Sequence, residues 1–306
     1  MGFFTHGSVK NINIGEKVQY LNGRMLNTFY YCNYFNSPVT IPNGVTVMRN
    51  TFYGCGNFNQ PVSIPDSVEE MSQTFYVCSR LNQPIKLGQN IVNMYWAFAS
   101  CGNFNQPVDI PNGVTQMAHA FRSCGNFNQP VNFPESVTNL AGVLSYCSNF
   151  NQPVTISNGV TSMYDSFAYC NNFNQPVVVP DSVTDVRELF YYCNKLNQPV
   201  EIGAGATNLY RTFAYCNNFA SEITIRAKEV SNAYNMLYPK NNSKRVNIYV
   251  PAGSNTLNAV KKEGVGASIV GAAITYAHAT GGTSWNYYFN AKRNIYIYEV
   301  DFDAEE

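Results

Sequence analysis

Nine cysteines stand 23 residues apart, at Cys32, Cys55, Cys78, Cys101, Cys124, Cys147, Cys170, Cys193 and Cys216, and the chain contains no other. Thiols in a set can close disulfides, hold a soft metal or serve as thiolate nucleophiles. Each of these uses short or irregular spacings such as Cys-x-x-Cys, not one thiol per 23 residues. Stacked strands bring successive Cα atoms about 5 Å apart, near disulfide range. Side chains stacked in parallel point alike, however, and nine thiols cannot all pair. The column therefore reads as core packing, with free cysteine acting as a small hydrophobe. The histidines His6, His119 and His278 are scattered, and no zinc-protease, phosphate-loop or dinucleotide pattern occurs. The acidic pair Glu69 and Glu70 reads as a solvated face. No catalytic residue, metal ligand or cofactor is predicted.

Recognition is the other chemistry these residue types support. Counting each cysteine as position 0, the approach to it is rich in Tyr30, Tyr31, Tyr53, Tyr95, Tyr146, Tyr169, Tyr191, Tyr192, Tyr210 and Tyr215. Aromatic rings with a polar handle are favoured at recognition surfaces, although they also fill shells between neighbouring units. The candidate binding residues are Tyr95, Trp96, Tyr76, His119, Arg122 and Tyr164. Trp96 is the only tryptophan within the repeats, which makes the Tyr95–Trp96 pair the first choice.

The elements that must position these side chains follow from the rest of the repeat. Position +3 is Phe58, Leu81, Phe104 or an equivalent, and Asn-Gln-Pro follows in seven units. Apolar +7 and +9, as in Val62 and Ile64, flank a variable +8: a short strand with one buried face. Turns such as Pro42-Asn43-Gly44 end it. Apolar residues at +13, +16, +20 and +23, as in Val68, Met71, Phe75 and Cys78, predict one face of a short helix. The Asn at +4 is expected to form an amide ladder that satisfies loop backbone. One such unit cannot bury its own apolar face, so the units must stack, as a rod or arc roughly 40 Å long. Beyond about Ala233 the period breaks. There Val246–Val250 predicts a last strand and Asn255 to Glu263 a helix capped by Ser254. Segments 267–277, 284–289 and 294–302 predict further strands, the last with Ile295 and Ile297 opposite Tyr296 and Tyr298.

Charge narrows the partners. The 306 residues carry 19 basic and 19 acidic side chains, for a net charge of zero. Nucleic-acid binders show a basic stripe, and none is present. No stretch approaches the roughly 18 apolar residues of a membrane span. The start, Met1-Gly2-Phe3-Phe4-Thr5-His6-Gly7, lacks the pattern of a secretory leader, so cytoplasmic synthesis is expected.

The pattern Cys-x-x-Phe-Asn-Gln-Pro-Val-x-Ile-Pro-x-x-Val-x-x-Met-x-x-x-Phe resembles the 23-residue leucine-rich repeats of BspA-like bacterial surface proteins. The resemblance covers residues 16–232, and Asn247-Ile248-Tyr249-Val250-Pro251-Ala252-Gly253-Ser254 is similar to the unit that closes such arrays. It implies an α/β repeat solenoid, a leucine-rich-repeat arc with a parallel strand ladder and short helical segments, plus a small β-rich C-terminal cap or module. The divisions are 1–15 as an N-terminal cap or attachment segment, 16–232 as the solenoid and 233–306 as the terminal unit and module. Similar repeats also occur in bacteriophage proteins. The resulting expectation is a non-enzymatic recognition or structural scaffold of a phage or phage-like particle: a tail, fibre or decoration protein. The alternative is a bacterial cell-surface adhesin. Expected partners are a protein or carbohydrate receptor or other virion proteins, with no nucleic acid and no membrane, and with homo-oligomer formation through the C-terminal module left open.

Overall fold

Every repeat closes one coil, and its apolar positions turn inward. In the computed structural model, residues 22–238, 244–261, 270–271, 276–277, 284–285, 287–290 and 294–302 are described. The expected segment 1–15 lies outside them. The chain forms two compact units, Met1–Gly159 and Val160–Glu306. Both are built of leucine-rich-repeat coils. Positions −7, −3, 0 and +3 are buried in coil after coil, for instance Met71, Phe75, Cys78 and Leu81. The −3 phenylalanines stack, with centroids 5.3 Å apart for Phe52–Phe75, 5.4 Å for Phe75–Phe98 and 5.4 Å for Phe190–Phe213. Each such ring contributes roughly 3–5 kcal/mol by comparison with alanine.

The segment expected to be helical is not helical. Among the described residues the repeats contain no helix, and positions −8 to 0 form a string of tight turns. The coil Met71–Cys78 shows how. The N–H groups of Met71, Gln73, Phe75 and Val77 donate to the carbonyls of Asn93, Tyr95, Ala97 and Ala99 in the next coil, at 2.8–3.0 Å. Those of Thr74, Tyr76 and Cys78 close turns onto Met71, Gln73 and Phe75 at 3.0–3.3 Å. The remaining N–H, of Ser72, donates to the Glu70 carboxylate at 2.7 Å. All eight donors are satisfied without one i→i−4 bond, which meets the requirement that buried backbone be paired. Residues −5 and −1 turn the chain by adopting left-handed φ: Gln73 (+53°) and Val77 (+61°) here, and their counterparts in every coil from Asn27 to Tyr215. The left-handed residues lie four apart, as do Met71 and Phe75, and a four-residue period imitates the helical 3.6 in sequence.

The strand side differs between the units. In the first, β1 (Val62–Ser63) pairs in parallel with β2 (Ile85–Lys86). No backbone hydrogen bond among the described residues joins 108–110 to 131–133, or 131–133 to 154–156. In the second unit β3 (Val177–Val179), β4 (Val200–Ile202), β5 (Glu222–Ile225) and β6 (Val246–Pro251) form a continuous parallel ladder. Position +8 points out on both, and Val178 is 64% exposed.

The end of the second unit follows the expected order. Ser254 caps α1 (Asn255–Ala259), its hydroxyl accepting from Leu257 N–H at 3.2 Å. The strands β7 (Val270–Gly271), β8 (Tyr276–Ala277), β9 (Ser284–Trp285), β10 (Tyr287–Asn290) and β11 (Ile295–Val300) fall on the three predicted segments, with β10 running one residue past 284–289. The remainder of 267–277 lies outside the described residues. The last strand, β11, pairs in parallel with β6, while β10 runs antiparallel to β11. Ile295 and Ile297 are buried, and Tyr296 and Tyr298 are half-buried, as the alternation predicted.

Candidate functional site

The buried thiols come first, because they were the residues with the most latent chemistry. Seven of the sulfurs, from Cys55 to Cys147 and at Cys193 and Cys216, donate to a phenylalanine carbonyl of the preceding coil, for example Cys78 to Phe52 at 3.1 Å, Cys101 to Phe75 at 2.9 Å and Cys216 to Phe190 at 3.0 Å. The same carbonyl accepts the N–H of its own coil's cysteine, so Phe52 serves both Cys55 and Cys78. A thiol therefore fills a small apolar slot and also saturates a buried carbonyl, which alanine or valine cannot do. Burial pushes Cys124 and Cys216 up to about 12, and Cys78, Cys101 and Cys193 well above their ordinary value. Thiols held protonated are poor nucleophiles and poor metal ligands. Among the described residues no three His, Cys, Asp or Glu side chains converge as metal ligands.

The +4 asparagines also bond between coils, with side chain to backbone rather than amide to amide. Asn36 accepts from Asn59 N–H at 2.8 Å, Asn59 from Asn82 and Asn82 from Asn105, both at 2.9 Å. Gln60 reaches back to Asn36 O at 3.1 Å. These residues hold the loop and leave little to offer a ligand. An open groove of about 910 Å³ crosses the strand side of the first unit between Thr40, Ser63 and Lys86. Its lining mixes proline, serine and aliphatic edges, with no convergent polar set.

The predicted recognition residues lie on the turn side, at the shoulder made by the left-handed positions. Tyr76, Tyr95, Trp96 and His119 come together in the first unit. Trp96 lies 4.6 Å from His119 at 33°, and stands edge-on to Tyr76 at 5.5 Å and to Tyr95 at 6.1 Å. Tyr95 is also perpendicular to His119, at 6.1 Å. The row continues backwards through Tyr53 and Tyr30 at 4.7 and 4.8 Å. Burial, and then the bond to Tyr31, pushes Tyr53 up to about 12. Forward, Gly142 takes the −5 position with φ +58°, and a Cβ there would run into the His119 ring. A side chain there would force the His119 ring to shift, and the left-handed φ adds to its cost.

Arg122 and Tyr164 belong to a different arrangement. Arg122 lies over the Tyr146 ring at 5.0 Å and donates to Ser145 Oγ at 3.0 Å. Tyr164, in the second unit, carries Arg187 at 5.1 Å, and Asp185 holds Arg187 by two bonds of 2.7 and 2.8 Å. Asp185 pushes the guanidinium further up and keeps it charged. Arg211 lies over Tyr210 at 4.9 Å and Tyr191 at 5.9 Å. Arg122 was a candidate from sequence, but Arg187 and Arg211 were not, although Tyr164 and Arg187 stand 23 residues apart and so meet in adjacent coils. A further row at −8 was also missed: Asn93, Asn139, Asp185, Asn208 and Asn232 each accept the N–H two residues on, at 2.8–3.2 Å. These are Asx turns that start their strings, a role Glu70 takes in the coil Met71–Cys78.

The family described as "Mycoplasma protein of unknown function, DUF285" matches four overlapping stretches, residues 21–110, 87–177, 115–225 and 157–249. Among solved structures, a leucine rich cell surface protein of Faecalibacterium prausnitzii A2-165 is similar at 20% identity, covering 79% of each chain with a TM-score of 0.46. A leucine-rich repeat protein of Bacteroides ovatus ATCC 8483 is similar at 16% identity, over 76% of this chain and 90% of that one, with a TM-score of 0.32. No curated protein matches the chain.

Proposed function

The chain belongs to the DUF285 family, and from that premise we propose that it is a recognition scaffold whose turn-side shoulder contacts a protein or glycan partner. The observation that carries this reading is the choice of side chains at the left-handed positions. Glycine or asparagine meets the backbone demand there at least cost, and Asn50 and Gly142 do so. Val77, Trp96, His119, Glu188 and Arg211 occupy the same conformation at roughly 1–2 kcal/mol each. Packing uses some of these side chains, since Glu188 pairs with Arg211 at 3.7 Å and Trp96 lies on His119, but the backbone alone does not call for them, and this supports a contact role for the shoulder.

No catalytic role is proposed: the thiols are shielded and protonated, and the shoulder residues lack an acid–base pair or nucleophile. Between settings, the family description names a mycoplasma, which supports a cellular protein. A surface adhesin is therefore placed ahead of a phage tail, fibre or decoration protein. Mass spectrometry of washed cell envelopes beside density-purified particles from the native source tests this. Enrichment on envelopes, with attachment lost in the variants Tyr95→Ala and Trp96→Ala, is expected. Enrichment in particles returns the phage reading, and attachment indifferent to both substitutions removes the shoulder from consideration.

A further inference from the structure

The repeat allows one coil to be compared with another in register, and at the shoulder that comparison points to a missing side chain. In the second unit the ring at −6, Tyr164, is covered by the residue one coil on at the same position, Arg187. Arg187 is fixed by Asp185, at −8 of its own coil. The residue of the first unit at −6 with an exposed ring is Tyr95, 43% exposed where Tyr164 is half-buried. One coil on from Tyr95, the residues at −6 and −8 are Ala118 and Gln116. Ala118 is buried and too short to reach over a ring, and Gln116 is exposed and uncharged. The slot that holds a guanidinium at Tyr164 therefore holds none at Tyr95. Among the described residues no arginine lies over Tyr30, Tyr53, Tyr76, Tyr95 or Trp96, whereas Tyr146, Tyr164, Tyr191, Tyr210 and Tyr296 each carry one.

The aromatic surroundings of the slot suit a cation. The nearby carboxylates do not reach it: Val92 and Asn93 donate their N–H groups to the carbonyl of Glu69, at 2.9 and 3.2 Å, which places Glu69 and Glu70 one coil behind Tyr95, and Glu70 is held by Ser72 N–H at 2.7 Å, Asn93 Nδ2 at 2.8 Å and Arg49 at 3.8 Å. Trp96, perpendicular to Tyr95, is the aromatic side chain that attracts cations most strongly. A planar guanidinium suits a ring face flanked by an amide better than an ammonium does.

We propose that the Tyr95–Trp96 site captures an arginine side chain presented by a protein partner, in the slot that Arg187 fills internally at Tyr164. This deepens the recognition reading and rests on the turn-side shoulder being the contact face. The arginine would lie on the Tyr95 face beside Trp96, with Gln116 as a hydrogen-bond partner.

The test uses the full chain with Trp285→Phe, so that indole fluorescence reports Trp96. The probe is the peptide Gly-Ser-Arg-Ser-Gly with blocked ends, beside a twin carrying neutral citrulline in place of arginine. The arginine peptide should bind, with the twin and the Tyr95→Ala variant each about five-fold weaker or more. The double variant Gln116→Asp/Ala118→Arg, which rebuilds the internal pair, should block capture. Because that variant alters a buried position, Arg187→Ala supplies an independent arm: it should create a second site at Tyr164 and double the stoichiometry. Equal binding of the citrulline twin, or unchanged stoichiometry in Arg187→Ala, overturns the proposal. Self-association lost in Tyr95→Ala without peptide capture overturns it in favour of a second copy of this chain. If the peptides fail to discriminate while Tyr95→Ala still abolishes envelope attachment, the recognition role stands and the arginine partner falls.

Discussion

The two units use the same repeat and hold it together differently. In Val160–Glu306 the coils are hydrogen-bonded on both sides, through β3, β4, β5 and β6 and through the turn string. In the middle of Met1–Gly159 the strand side lacks such bonds, and coil joins coil through the turn string, as in Trp96 N–H to Ala118 O at 3.2 Å and Phe121 N–H to Val143 O at 3.0 Å, and through the loops, as in Asn128 N–H to Asn105 Oδ1 at 2.9 Å. The difference follows position +8, where the first unit has Asp109 and Asn132, poor strand formers, and the second has Val178. Cohesion is thus vested in the core and the turns, and the strand ladder is an addition. That leaves the strand face free to vary, and obliges the turn side to be rigid enough to carry a recognition surface.

The largest expected effect separates the units by pH. Thiols raised from an ordinary 9.0 favour the folded state while protonated. Their contribution is therefore full below pH 9 and is lost as pH rises towards 12. Each thiol contributes a slope of about 1.4 kcal/mol per pH unit in that window. Six of the nine cysteines lie in the first unit and three in the second, and the raised thiols include Cys55, Cys78, Cys101 and Cys124 in the first and Cys193 and Cys216 in the second. Denaturant unfolding between pH 8 and 11 should show the first unit weakening about twice as steeply, and Cys124→Ala should flatten its slope. Stability independent of pH over that range would mean the column does not titrate with unfolding. A smaller effect tests the turn string: Gly142→Ala should cost about 1–3 kcal/mol, with part of it returned by His119→Ala in a double-mutant cycle. Additive losses would assign the cost to φ alone. Smallest is the strand side. Asp109→Val with Asn132→Val should add roughly 0.5–1 kcal/mol and slow amide exchange at residues 108–110 and 131–133. If exchange is unchanged, something other than strand propensity keeps those coils apart.

Much of this was legible because repetition averages out noise. Nine cysteines, the +7/+9 alternation and the Ser254 cap all reported their structural positions directly. The helix did not materialise because inward-facing Met71 and Phe75, four apart, satisfy a turn string and a helix equally well. The signals that distinguish them were small: Asn27, Asn50 and Gly142 at −5, and Gly54 at −1, are left-handed formers at helix-interior positions. The cluster of Tyr76, Tyr95, Trp96 and His119 was readable from residue type and register. The arginine over Tyr164 was not, because its meaning lies in a pair of residues 23 apart, not in either alone.

The placement of β11 beside β6 bears on how such a chain can change length over generations. Every coil touches only the coils before and after it, so a duplicated stretch of 23 residues can enter the interior and find both neighbours already complementary. At the far end that freedom stops. β11 lies where the strand of one more coil would lie, and it comes from residues that the chain reaches only after a detour of about forty positions. An added coil downstream would have to displace it. Growth or shrinkage of this lineage is therefore expected upstream of Val246, leaving the C-terminal segment as the fixed mark from which the array is measured.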